Sequence, residues 1–131
     1  MSTLTTTIDH NKSLVTRFVA DVWNARKFDR LKEFVAEAYV QHNPNLPNGR
    51  AALDGFLRGF YSQNMANGEF AIARIVADGD LIITHSLFKT SADDRGTAVV
   101  GIYRVEDGLL VEHWDVKEPV PEATANGNPM V

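Results

Sequence analysis

The strongest constraint on the fold is a hairpin signal in residues 101–117, which read GIYRVEDGLLVEHWDVK. Two apolar runs flank Asp107-Gly108, a pair suited to the positive backbone angles of a tight turn between strands. Because side chains alternate along a strand, Val111, His113 and Asp115 are predicted to share one face. A histidine and a carboxylate so placed have backbones about 7 Å apart, close enough to bind one small molecule together. The opposite face is predicted to hold Leu110, Glu112, Trp114 and Val116.

The first half of the chain has apolar residues at helical spacing. Residues 1–8 show no pattern and are expected to form a loose N-terminus. The periodicity predicts one helix over residues 9–24, with Asp9 as its N-cap, and a second over residues 28–38. Pro44 and Pro47 end this pattern, which predicts a short strand at residues 39–42 followed by a loop. A third helix is expected to start at Asn48 as its N-cap and to end before residue 64.

The second half changes to the two-residue period of strands. Four strands are predicted, over residues 69–77, 81–89, 97–105 and 109–117. Residues 118–131 contain too much Pro, Gly and Asn for regular structure and are expected to form an irregular tail. Three N-terminal helices followed by four strands predict an α+β fold, with the helices on one face of an antiparallel sheet. A sheet that curls around the helices would leave a pocket between them.

Length and charge exclude several classes of protein. The chain of 131 residues is predicted to be a single domain. Its 13 basic and 17 acidic residues give a formal net charge of −4, which argues against nucleic acid or an anionic membrane as a partner. There is no cysteine, hence no disulfide and no thiolate metal site. The sequence has no signal-peptide pattern and no apolar stretch of membrane-spanning length, so a cytoplasmic protein is expected.

Three histidines are candidates for chemistry. His42 lies beside Gln41 and Asn43. These three polar side chains either line a pocket or form hydrogen bonds with the loop backbone, and the sequence supports both interpretations equally. His85 shares its predicted strand face with apolar residues, which is typical of a hydrogen-bonded core histidine, although the same face could line the pocket with His113. No compact metal-ligand spacing is present, so no metal is expected. A glycine-rich phosphate loop and a serine nucleophile motif are also missing, so the sequence does not support phosphoryl transfer or serine hydrolysis.

Proton transfer by a carboxylate and imidazoles is the chemistry that these residue types leave open. Asp115 is the candidate carboxylate, and its alternative is an exposed acid near a strand end. A desolvated carboxylate can act as a general acid or base, whereas an exposed one needs no function. The spacing of the residues does not separate the two interpretations.

The order of helices and strands, with three specific segments, resembles the SnoaL-like polyketide cyclase group of the nuclear-transport-factor-two-like superfamily. The segments are residues 39–44, YVQHNP; residues 112–115, EHWD; and residues 126–128, NGN. The resemblance covers nearly the whole chain, from about Lys12 to Met130. It implies a cone-shaped barrel in which a strongly curved, mainly antiparallel sheet wraps around the three helices and encloses an apolar cavity. It also implies a homodimer formed through the outer face of the sheet.

The resemblance further implies a cofactor-free aldol cyclase or isomerase acting on a hydrophobic, carbonyl-containing small molecule. The residues expected to be catalytic are Asp115, matched by its position in the last strand, together with His113 and His42. A non-catalytic module that binds a small ligand in the same cavity is the alternative, because the fold alone does not decide function. Contacts with the substrate are expected from Trp23, Tyr39, Asn43, Phe60, His85 and Tyr103.

Overall fold

The computed structural model describes residues 3–63 and 67–131. Its helical half consists of two α-helices, a π-helical turn at Val19–Asn24 that continues the first of them, and a 3-10 helix at Phe28–Glu33. Five strands form one sheet, which confirms the predicted α+β class. In chain order the α-helices and strands are α1 Thr3–Phe18, β1 Val35–Gln41, α2 Arg50–Gln63, β2 Glu69–Asp78, β3 Leu81–Lys89, β4 Thr97–Glu106 and β5 Leu109–Pro119.

The strands are arranged in the order β1-β5-β4-β3-β2. Strands β2 to β5 form consecutive antiparallel hairpins, and β1 pairs in parallel with β5. Among the described residues β1 and β2 are the two edges, so the sheet is mainly antiparallel and open. The strongly curved, cone-shaped barrel expected from the resemblance is not confirmed, because the edge strands do not close the sheet.

The β4-β5 hairpin has the predicted turn and an unpredicted bulge. Asp107 and Gly108 both have positive φ, 52° and 78°, as a tight hairpin turn of this type requires. Arg104 lies opposite Glu112, whereas the next residue, Val105, lies opposite Leu110, so β5 contains one extra residue at this point. The bulge reverses the alternation of side chains. Leu110 is consequently fully buried on the helix side, and its predicted place on the outer face is wrong.

The helical region departs from the prediction at three places. The predicted second helix is a 3-10 helix followed by β1, because hydrogen bonds to β5, such as Leu110 N–H to the Phe34 carbonyl at 2.7 Å, favour an extended backbone. Asn48 does not cap α2; its Oδ1 accepts a hydrogen bond from the Gln41 backbone N–H. The first helix starts at Thr3 and not at Asp9, since a formed helix extends readily into flanking residues. Residues 1 and 2 of the predicted loose start lie outside the described residues.

The core lies between the helices and one face of the sheet. Its largest fully buried side chains come from both halves of the chain and include Phe18, Phe34, Leu57 and Ile82. Burying such a side chain contributes about 1.5–3 kcal/mol, so this face fixes how the helices sit on the sheet. The irregular tail begins at residue 120, because β5 continues through Pro119. None of the helices that the structure describes combines the length and apolar character needed to cross a membrane.

Candidate active site

A cavity of about 530 Å³ lies between the helices and the sheet. Two smaller recesses, of about 50 and 40 Å³, share Trp23 and Asp115 with it, and His113 and Tyr103 border both recesses. The wall of the main cavity is mostly apolar, with polar groups at one side. The apolar lining residues are Trp23, Leu46, Phe56, Phe60, Phe70, Phe88, Val99 and Pro119, and the polar ones are Asn43, Asn45, Thr97, Asp115 and Lys117.

Aromatic rings form the apolar part of the wall. Trp23 packs edge-on against Phe70, at 5.2 Å between ring centroids, and against Phe60, at 6.4 Å. The neighbouring residue, Asn24, exchanges two hydrogen bonds of 2.9 Å with the backbone of Phe70 and so joins the π-helical turn to β2. Trp23 and Phe60 therefore line the cavity, and their contact with a substrate stays a prediction. The rings provide a surface suited to a flat, hydrophobic molecule.

Asp115 is the acidic residue of the cavity lining. It lies on β5 directly opposite Gly101 of β4. A Cβ atom added at Gly101 would come within 3.1 Å of Thr84 Oγ1 and 3.3 Å of Tyr103 Cε2. Glycine is therefore the residue that leaves room for the recess between Thr84, Tyr103 and Asp115.

The Asp115 carboxylate is held by a neutral partner. The Nδ2 group of Asn43, a buried residue, donates to both carboxylate oxygens at 3.1 Å, while its Oδ1 accepts from the Asn45 backbone N–H at 2.9 Å. This second bond fixes the orientation of the amide. Among the described residues, no lysine or arginine forms an ion pair with Asp115. The carboxylate is thus positioned by an amide and not by an ion pair.

His113 lies beside Asp115 on the helix side of β5. Its Nδ1 is 2.8 Å from Gln41 Oε1, and its ring lies 4.8 Å from that of Tyr103 and stacks on Tyr39 at 6.3 Å. Burial is the largest influence and lowers the pKa of His113 to about 4, although the nearby Asp115 charge opposes the shift. The imidazole is therefore neutral at pH 7.

The two tyrosines beside His113 remain protonated. Burial raises the pKa of Tyr39 and of Tyr103 well above the usual value, with the Asp115 charge as a further contribution. Both phenol groups border the recess that Asp115 also borders. They keep their hydroxyl hydrogens at neutral pH and remain available as hydrogen-bond donors.

The structure does not bring His42 or His85 to the cavity. His42 Nε2 donates to Glu112 at 2.7 Å, and its ring stacks on Trp114 at 4.7 Å on the outer face of the sheet. His85 Nδ1 accepts a hydrogen bond from Arg74 at 3.1 Å, also on the outer face. The expectation that these histidines line the pocket is wrong, because the strand alternation turns them away from the helices. The inward positions of β3 are taken by its buried residues Ile82, Thr84 and Ser86.

Several residues at the site were not predicted as site residues. Lys117 follows Asp115 at the two-residue spacing that places side chains on one strand face, so the alternation was a signal for it. Gln41 was noted only as a polar neighbour of His42, and no sequence pattern shows that it meets His113. In residues 3–63 and 67–131 no three His, Cys, Asp or Glu side chains converge as metal ligands. The other lining residues not predicted are Val19, Asn45, Leu46, Phe56, Phe70, Thr84, Ser86, Phe88, Thr97, Val99, Gly101 and Pro119.

The fold and the site define an α+β domain with a partly open, mostly apolar cavity between helices and sheet, and a carboxylate is held at its wall. The sequence profile of the SnoaL-like domain matches residues 15–113, and the chain belongs to this family. The resemblance drawn from the sequence is thereby confirmed. No functionally curated protein matches the sequence.

Solved structures share the fold at low sequence identity. A candidate polyketide cyclase from Acidithiobacillus ferrooxidans is 18% identical, with a TM-score of 0.74 over 83% of this chain and 88% of its own. A candidate ketosteroid isomerase from Kribbella flavida is 20% identical, with a TM-score of 0.71 over 95% and 89% of the two chains. An NTF-2-like protein of unknown function from Burkholderia xenovorans is 21% identical, with a TM-score of 0.71 over 94% of each chain. At these identities the similarity concerns the fold alone.

Proposed function

We propose that this protein is an acid/base enzyme that needs no cofactor and acts on a hydrophobic, carbonyl-containing small molecule. The observation that carries the proposal is the Asp115 carboxylate, which faces an apolar cavity and, within residues 3–63 and 67–131, is held by the amide of Asn43 and by no cation. Asp115 is half-buried, and a carboxylate that serves stability in such a place is usually paired with a cation. The candidate polyketide cyclase and ketosteroid isomerase among the similar folds support the choice of a carbonyl substrate.

The proposed reaction begins with removal of a proton from the carbon next to a carbonyl group. The C–H bond breaks, the proton passes to Asp115, and the electron pair moves to the carbonyl oxygen. The resulting enolate can take the proton back from Asp115 at another carbon, which is isomerisation. Alternatively its carbon attacks a second carbonyl, the C=O π electrons move to that oxygen, and the oxygen takes the proton from Asp115, which completes aldol ring closure. Tyr103 or His113, which border the same recess as Asp115, would donate a hydrogen bond to the developing oxyanion.

The substrate would place its apolar part against the aromatic wall and its reacting carbonyl near Asp115. Trp23, Phe60 and Phe70 supply that wall, and Tyr39, Asn43 and Tyr103 surround the reacting end. A cavity of about 530 Å³ is within the range of ordinary small-molecule sites. Shape and aromatic contact would select flat, hydrophobic ketones.

Exchange of hydrogen next to a carbonyl tests proton transfer without knowledge of the natural substrate. We suggest 2-tetralone as the probe, an aromatic ketone with acidic α-hydrogens, dissolved in D₂O and followed by NMR. The wild-type protein is expected to exchange these hydrogens faster than buffer. Asp115→Asn should lose about 10² to 10⁴ of that acceleration, as expected for loss of a general base. Asp93→Asn, at an exposed loop position outside the cavity, serves as the matched control.

The alternative is a non-catalytic module that binds a small ligand in the same cavity. It predicts that 2-tetralone binds equally well to the wild type and to Asp115→Asn and that neither accelerates exchange. Equal exchange rates for the two proteins would rule out Asp115 as the base. Binding of the probe to both, with exchange only in the wild type, would support the enzyme.

We also propose a homodimer formed through the outer face of the sheet. That face carries exposed apolar side chains, among them Val116, which is 74% exposed, and Val100, together with Trp114. Exposed apolar groups gathered on one sheet face commonly mark a contact between proteins. Because His113 and Asp115 point to the helix side, such an association would leave the cavity open.

A further inference from the structure

The Gln41 side chain is placed to decide which nitrogen of His113 carries the hydrogen. Gln41 ends β1, and the parallel pairing with β5 sets it directly beside His113. Its Oε1 accepts a hydrogen bond from the Asn43 backbone N–H at 3.1 Å and lies 2.8 Å from His113 Nδ1. A backbone N–H can only donate, so the shared atom is the amide oxygen and not the amide nitrogen. Nδ1 must therefore be a donor.

A neutral imidazole carries one ring hydrogen, so fixing it on Nδ1 leaves Nε2 with a free lone pair. The groups that influence the charge of His113 are Asp115, which favours the charged ring, and Lys117 and His42, which disfavour it. Burial outweighs Asp115, so the pKa is lowered and the ring stays neutral. The contacts of the described residues give Nε2 no partner, and His113 borders both recesses beside Asp115.

We propose that Gln41 is a positioning residue that holds His113 with its hydrogen on Nδ1, so that Nε2 accepts a hydrogen bond from a hydroxyl group of the ligand. The hydrogen-bond donor for the developing oxyanion is then Tyr103 and not His113. This assignment of roles rests on the proposed function, whereas the position of the ring hydrogen does not. It narrows the substrate class to carbonyl compounds that also carry a hydroxyl group near the reacting carbon.

The position of the hydrogen can be read directly by NMR. In ¹⁵N-labelled protein at pH 7, correlations between ring hydrogens and nitrogens distinguish the Nδ1–H form, the Nε2–H form and the charged ring. The wild type is expected to show His113 in the Nδ1–H form. Gln41→Leu should shift it toward the Nε2–H form, while His85 on the outer face, held by Arg74, stays unchanged as an internal control.

A second variant guards against failure of Gln41→Leu to fold. Gln41→Glu keeps an oxygen acceptor of nearly the same shape, so the Nδ1–H form should persist, but the added negative charge should raise the pH at which His113 becomes charged. A wild-type ring in the Nε2–H or charged form at pH 7 would overturn the proposal. So would a ring form that is the same in the wild type and Gln41→Leu.

Ligand selectivity tests the acceptor role of Nε2. We would compare 2-naphthol, which donates a hydrogen bond, with 2-methoxynaphthalene, which only accepts one. The wild type should bind 2-naphthol about tenfold more tightly, a difference typical of one buried hydrogen bond, and His113→Phe should lose most of this preference. A preference that is absent, or that survives His113→Phe, contradicts the acceptor role.

These outcomes are distinguishable from failure of the proposed function. The 2-tetralone experiment reports on Asp115, and the ring NMR reports on Gln41 and His113. An Nε2–H ring together with exchange that depends on Asp115 would refute the present inference and leave the enzyme proposal standing. An Nδ1–H ring with exchange that does not need Asp115 would support the position of the ring hydrogen and refute the enzyme proposal.

Discussion

Asn43→Ala is the substitution whose effect follows most directly from the site geometry. It removes the Nδ2 group that donates to both oxygens of Asp115 at 3.1 Å. It also removes the Oδ1 atom that accepts from the Asn45 backbone N–H at 2.9 Å. Since Asn43 is only 7% exposed, water does not readily replace these partners.

The free energy of unfolding should fall by about 2–4.5 kcal/mol. The contact of Nδ2 with the two oxygens counts as one charge-assisted hydrogen bond, which contributes about 1.5–3 kcal/mol, and the bond to Asn45 contributes about 0.5–1.5 kcal/mol. With an unfolding entropy of about 2.1 cal/mol/K per residue, 1 kcal/mol corresponds to about 3.6 °C for a chain of 131 residues. The expected fall in Tm is about 7–16 °C.

The assay is urea denaturation of the wild type, Asn43→Ala, Asp115→Ala and the double variant, followed by circular dichroism. The double-mutant cycle should give a coupling energy of about 1.5–3 kcal/mol between the two side chains. Asn45→Ala is the matched control, because only the backbone of Asn45 takes part in the network, and it should change stability by less than about 0.5 kcal/mol. A coupling energy near zero would refute the conclusion that Asn43 holds the carboxylate.

Three further predictions concern pH, space and assembly. The pKa of His113 is 6.5 in the unfolded chain and about 4 in the folded protein, so between these pH values the unfolded chain binds a proton that the folded protein does not. The free energy of unfolding should therefore fall by on the order of 3 kcal/mol as the pH is lowered from 6.5 to 4. Denaturation of His113→Gln at several pH values should lack this decrease. Gly101→Ala should displace Tyr103, lower the free energy of unfolding by about 1–3 kcal/mol and slow 2-tetralone exchange. Gly55→Ala, where the added Cβ atom meets open space, should have none of these three effects. Sedimentation should show a dimer that Val116→Glu converts to a monomer; a wild-type monomer at micromolar concentration would contradict the dimer.

Local sequence signals determined the second half of the fold. The predicted bounds of β3 coincide with those observed, and the Asp107-Gly108 turn has the expected positive φ at both residues. Turn type and strand period depend on residues within a few positions of one another, so they can be read without knowledge of distant contacts. The same spacing predicted that His113 and Asp115 share one face of β5, and in the structure this is the face toward the helices.

Where distant contacts compete with local preference, the sequence was a poor guide. Residues 35–38 have helical spacing but form β1, because a strand there completes hydrogen bonds with β5, which lies far away in the chain. His85 has apolar neighbours at strand spacing, yet this apolar face is the outer one. A two-residue period shows that two faces differ and does not say which of them the helices cover.

The order of residues was sufficient to predict the α+β class, the hairpins and the family, because each depends on local periodicity or on short segments of sequence. Which polar groups meet in the cavity depends on long-range packing. The bulge in β5 turns Leu110 into the core while His113 stays inside, and the parallel pairing of β1 brings Gln41 to His113 and Asn43 to Asp115. The physical reason is that these contacts join residues about seventy positions apart, whose register is set by the packing of the whole sheet.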